Sequence, residues 1–149
     1  MIYFEDMKEG DVIELGSRSV SREEIVTFAT EYDPQPIHVD EKKAEESIYG
    51  GIIASGWLTG SILMRLLVDN LLNHTISMGS PGIDELRWIR PVRPGDTLTA
   101  RLTVVETRPS NSRPNLGIVR SRSEMYNQNG ELIMTVQATN LFGRRPAQD

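Results

Sequence analysis

Hydrophobic spacing changes character twice along the chain. Between Ser21 and Tyr32, the residues Ile25, Val26, Phe28 and Ala29 recur with the spacing of one helical face. Ser21 followed three positions later by Glu24 has the form of a capping box, so an amphipathic helix is predicted from Ser21 to about Tyr32. Asp33-Pro34-Gln35-Pro36 ends it, because a residue before proline is pushed out of the α region. Asp40 can cap a second short helix running to about Ser47. From Ser55 to Leu72 apolar residues cover most of the helical circumference, with charge only at Arg65 and Asp69. A helix apolar nearly all round is expected inside the fold.

Beyond residue 80 the period shortens to two. Gly82 to Ile89, Thr97 to Glu106, Leu116 to Tyr126 and Leu132 to Phe142 read as strands, and Asp11 to Val20 supplies one more. Pro94-Gly95-Asp96 and Asn127-Gln128-Asn129-Gly130 are turn signals, the second between two strands as in a hairpin. The pattern predicts an α+β fold, a single domain over residues 1–149 with a long central helix against an antiparallel sheet of about five strands.

Composition narrows the chemistry. With 16 lysines and arginines against 21 aspartates and glutamates, the net charge of −5 argues against nucleic acid as a partner. The absence of cysteine removes disulfides, thiolate nucleophiles, cysteine zinc sites and iron–sulfur clusters. Only two histidines are present, His38 and His74, so no metal site is expected. Met1 to Gly10 lacks the apolar core of a signal peptide. The uncharged stretch Ser47 to Met64 is interrupted by Gly50, Gly51, Gly56 and Gly60 and falls short of a membrane span of about 20 apolar residues. A cytoplasmic protein without a membrane partner is the expectation.

Two segments could carry a reaction. Tyr32-Asp33-Pro34-Gln35-Pro36-Ile37-His38-Val39-Asp40 puts a carboxylate and an imidazole five residues apart on a loop stiffened by two prolines. An acid and a base acting on one water need such a fixed relation. Spacing alone equally allows Asp33 as a helix stop and His38 as an ordinary surface or core residue. The second segment, Gly50 to Trp57, leads into the long helix, where free N–H groups can stabilise an oxygen that becomes negative. It equally suits a glycine-rich helix start that permits tight packing. Gly51 to Gly56 has P-loop glycine spacing, but Trp57 stands where the lysine must be. His74 falls where the long helix should end, where a helix C-terminus favours it.

Together these residues resemble the MaoC-like dehydratase family, which includes the (R)-specific enoyl-CoA hydratases. The resemblance rests on Asp33-Pro34-Gln35-Pro36-Ile37-His38 with Asp40, on the small residues and Ser55-Gly56 before the long helix, and on Arg90-Pro91-Val92-Arg93-Pro94-Gly95-Asp96 leading into a strand. It implies a hot-dog fold, with a curved sheet wrapping the helix, and a homodimer or higher even-numbered homo-oligomer with the site near the subunit interface. It implies Asp33 and His38 as the catalytic pair, and Gly56, Ser55 and Gln35 as substrate-binding residues, the Gly56 N–H holding the thioester oxygen. In the implied scheme His38 is the base and Asp33 the acid, no cofactor is required, and the substrate is a trans-2-enoyl thioester of coenzyme A or acyl carrier protein, hydrated to an (R)-3-hydroxyacyl thioester or formed by the reverse dehydration. Gln35, Ser55 and Met64 depart from the family's frequent asparagine, histidine and serine. They bear on the acyl group, for which a short or branched chain is expected. Two alternatives accompany this reading, a hot-dog acyl-CoA thioesterase and a non-catalytic acyl-binding partner subunit.

Overall fold

A computed structural model describes residues 1–148. Five strands form one antiparallel sheet: β1 (Val12–Ser19), β2 (Gly82–Trp88), β3 (Thr97–Pro109), β4 (Leu116–Tyr126) and β5 (Leu132–Gly143), in the order β1-β3-β4-β5-β2. Four helices lie between β1 and β2 in the chain: α1 (Arg22–Tyr32), α2 (Pro36–Val39), α3 (Glu41–Glu46) and α4 (Gly56–Asn70). This is the expected α+β arrangement, with all five strands where alternation and turn residues placed them.

Local signals account for the element ends. Ser21 Oγ accepts the Glu24 N–H at 3.0 Å, so half of the capping box forms; the Glu24 carboxylate pairs with Arg18 of β1 instead. Asp40 caps α3 by accepting the Lys43 N–H at 3.1 Å. Gly130 sits at φ 73° in the β4–β5 hairpin, where Asn127 Oδ1 accepts the N–H groups of Asn129 and Glu131. At the start of β3, Gly95 at φ 89° and the buried Asp96 close the turn, Asp96 accepting the Arg93 N–H and the Gln128 side-chain N–H.

Two features depart from the pattern reading. The stretch after Asp33 is not loop throughout: Pro36 occupies the first position of α2, where its missing N–H and fixed φ suit a helix start. The long helix is also not enclosed all round. Leu58, Ile62, Leu63 and Leu66 are buried, whereas Trp57 is 62% and Met64 50% exposed. Sheet and helices cover one side of α4 and leave an apolar stripe open beside β2. The sequence is apolar on both sides, so composition could not say which side the sheet would cover.

The core runs between α4 and the inner sheet face, through Leu15, Ile25, Leu98, Val104, Met125 and Ile133. No helix among the described residues is long and apolar enough to cross a membrane.

Candidate active site

The Asp33–His38 pair is assembled by two short helical ends. Asp33 closes α1, its N–H donating to the Ala29 carbonyl, and the single turn of α2 then lifts His38 back toward it. His38 is buried, and its Nδ1 lies 2.7 Å from the Ile53 carbonyl oxygen. A carbonyl only accepts, so Nδ1 carries a proton and Nε2 is the nitrogen turned toward Asp33. That Nε2 stands 3.3 Å from Asp33 Oδ2.

Asp33 is the better solvated by donors. Gln35 Nε2–H donates to Oδ1 at 2.7 Å, and the Ser55 hydroxyl donates to Oδ2 at 2.7 Å. Gln35, Ser55 and the nearby imidazole hold the Asp33 carboxyl below the usual carboxylate range, against the opposing effect of burial. These donors favour the ionised form of the Asp33 carboxyl.

Ser55 caps α4, accepting the Trp57 N–H at 3.3 Å, and is fully buried. Its hydroxyl therefore joins the start of α4 to Asp33 from behind. It does not line the cavity in front of the pair, so the direct substrate contact expected of Ser55 is not what its position supplies. Gln35 is exposed and does line that cavity, with Asp33, His38 and Gly56. The cavity measures about 430 Å³, within the range of small-molecule sites.

Gly56 is the first residue of α4, so its N–H precedes the intrahelical hydrogen-bond ladder. Its lack of a side chain has a specific cause. A Cβ there would lie 2.3 Å from Trp88 Cε2, and the Trp88 indole N–H donates to the Gly56 carbonyl at 3.0 Å. Trp88, Tyr49 and Thr59 also line the cavity, and none has a local sequence signal for it. Trp88 lies 32 residues from Gly56 and meets it only because β2 ends beside the start of α4. His74 is remote from this site; its Nε2 lies 3.2 Å from the Asp69 carbonyl oxygen at the end of α4.

Residues 7–125 match the family described as MaoC like domain. The chain belongs to this family. A crystal structure of the MaoC-like dehydratase from Rhodospirillum rubrum superposes with a TM-score of 0.89 at 41% identity, covering 99% of this chain and 100% of that one. The (R)-specific enoyl-CoA hydratase of Rhodospirillum rubrum is 35% identical over 107 residues, 68% of this chain and 69% of the relative. An uncharacterized Bacillus subtilis protein, YdeM, is 35% identical over 119 residues, 80% of this chain and 83% of its own length. The MaoC-like, hot-dog character implied by the motifs is thus established, and with it membership of a family whose named relatives include hydratases and dehydratases.

Proposed function

We infer that the chain adds water to a trans-2-enoyl thioester, or removes it from the corresponding (R)-3-hydroxyacyl thioester, using Asp33 and His38 as the acid–base pair. The observation that carries this reading is the 3.3 Å approach of His38 Nε2 to Asp33 Oδ2 at the wall of an open cavity, beside the free end of α4. The relatives' hydratase and dehydratase names support the same reaction class.

The donors around Asp33 favour the reverse of the roles expected from the family resemblance. In this scheme the cycle starts from an imidazolium at His38, and the ionised Asp33 carboxylate takes a proton from water as the water oxygen bonds to C3. The C2=C3 electrons move toward the thioester, whose oxygen accepts the Gly56 N–H at the positive end of α4. The imidazolium Nε2–H then protonates C2. The carboxyl proton returns to the imidazole across the Asp33–His38 contact, and the pair is restored. Gln35 and Ser55 act by holding Asp33 ionised and oriented.

The substrate is a thioester of coenzyme A or acyl carrier protein, and the assembly is a homodimer made through β2. This strand is one edge of the sheet, and Ile83, Trp88 and Ile89 on or just after it are 53%, 46% and 50% exposed. An edge strand with apolar side chains is a template for another strand. Asp84-Glu85-Leu86-Arg87 sets acid against base when laid antiparallel on its own copy.

Incubation with crotonyl-CoA, followed by chiral analysis of the product and a free-thiol assay, tests the reaction. The reading requires (R)-3-hydroxybutyryl-CoA with the thioester intact. Released thiol instead indicates the thioesterase, and binding without turnover indicates the non-catalytic subunit.

A further inference from the structure

One buried hydroxyl at the acid–base cavity has no task in the proposed mechanism. Thr59 of α4 is 2% exposed and lines that cavity with Asp33, His38 and Gly56. Its neighbours along the helix return their hydroxyls to the protein, Ser55 to Asp33 and Ser61 to the Trp57 carbonyl. Among the described residues no group bonds the Thr59 hydroxyl, yet no fully enclosed side-chain oxygen is left unpaired. The hydroxyl therefore opens on the cavity rather than into the core. In a cavity whose walls include Ile53, Ala54 and Val92, it costs free energy unless a partner enters.

Its place on the helix says which partner. Thr59 follows Ser55 by four positions and Gly56 by three, so it lies one turn on and between the two in azimuth. Helical side chains lean back over the turn before them. Thr59 thus leans toward the gap between Ser55, which holds Asp33, and Gly56 at the open end of α4. In the proposed hydration that gap receives the C2=C3 bond, with the thioester oxygen at Gly56 and the water at Asp33. Other polar groups beside it are engaged. The Trp57 N–H donates to Ser55 Oγ, the Trp88 indole N–H to the Gly56 carbonyl, and the Gln35 amide to Asp33.

We propose that Thr59 Oγ1 holds the reacting water and, after addition, the 3-hydroxyl of the acyl group, so that the site distinguishes a hydroxylated chain from a saturated one. This rests on the reading of the chain as an acyl-thioester hydratase. The water gives one proton to the Asp33 carboxylate and directs its other O–H to Thr59 Oγ1, which leaves a lone pair for C3. As the O–C3 bond forms, C2 takes its proton from His38. The retained O–H becomes the 3-hydroxyl, still bonded to Thr59. Thr59 exchanges no proton; it fixes the direction of attack, and in dehydration it holds the leaving hydroxyl.

Steady-state kinetics with crotonyl-CoA and with (R)-3-hydroxybutyryl-CoA compare the purified protein with Thr59→Val and Thr59→Ser. Calorimetric binding of butyryl-CoA, which has neither double bond nor hydroxyl, runs in parallel. Thr59→Val keeps the shape and removes the hydroxyl. Its kcat for crotonyl-CoA falls by about fivefold or more, its KM for the hydroxy thioester rises by a similar factor, and butyryl-CoA binds as in the wild type. Thr59→Ser recovers most of both. If Thr59→Val does not fold, Thr59→Ala carries the same expectation. Unchanged kcat and KM in a folded variant, or an equal loss of butyryl-CoA binding, overturn the proposal. Should no thioester be hydrated or dehydrated, the reaction assignment fails and direct binding decides on Thr59. A wild-type preference for (R)-3-hydroxybutyryl-CoA over butyryl-CoA that Thr59→Val abolishes then supports its role, and equal affinities overturn it.

Discussion

The hydroxyl of Ser55 donates to Asp33 Oδ2 at 2.7 Å, and that same oxygen lies 3.3 Å from His38 Nε2. The residue capping the central helix therefore also joins Gln35 in holding the Asp33 carboxylate ionised and oriented beside His38. Helix start and Asp33–His38 pair are one hydrogen-bonded unit, although 22 residues separate Ser55 from Asp33.

Ser55→Ala removes both functions. The cap and the buried hydrogen bond together predict a loss of about 1–3 kcal/mol in denaturant unfolding. The carboxyl loses one of its two leading donors, so its pKa rises. Because Asp33 acts ionised in the proposed mechanism, the acid limb of the kcat/KM profile moves to higher pH. Ser55→Thr restores it. A profile that does not move would separate Ser55 from the reaction.

Asp33 also links stability to pH. Its pKa is lowered in the folded chain, from an unfolded value of about 3.9. The stabilisation it contributes is present above that unfolded value and is lost as pH falls through the lower folded one. Urea unfolding of the wild type and Asp33→Asn across this acid range should show a smaller pH dependence in the variant.

Gly56 and Trp88 make a coupled pair. Gly56→Ala drives a Cβ into the indole and should destabilise by about 1–3 kcal/mol, despite the better helix propensity of alanine. In the background of Trp88→Ala the same change should cost much less. A double-mutant cycle measures the difference, and additive costs would mean that the indole is not what requires glycine at this position.

The open edge of β2 gives the assembly prediction. Ile83→Arg places a charge in the middle of the proposed β2–β2 contact, and light scattering should find the variant as a folded monomer where the wild type is a dimer. A dimer unaffected by this change would move the interface elsewhere.

The motifs carried much of this architecture. Alternation placed five strands, the capping serine placed α1, and the spacing of Asp33 and His38 marked a pair that the fold brings together. What the motifs could not carry depends on contacts distant in the chain. Ser55 reads as a residue facing substrate until the burial of its hydroxyl behind Asp33 is seen. Gly56 reads as room for an incoming oxygen, and only the fold shows that the Trp88 ring also requires glycine there. The open stripe at Trp57 and Met64 has no signature because the covered and uncovered sides of α4 are both apolar.

The central claim is that Asp33 and His38 move the protons of a hydration. Loss of the conjugated-enoyl ultraviolet absorbance of crotonyl-CoA, followed with the wild type, Asp33→Asn and His38→Ala, tests it most directly. The account predicts rapid loss with the wild type and a rate lower by about a hundredfold or more with each variant, all three remaining folded. Undiminished loss in either folded variant would contradict it.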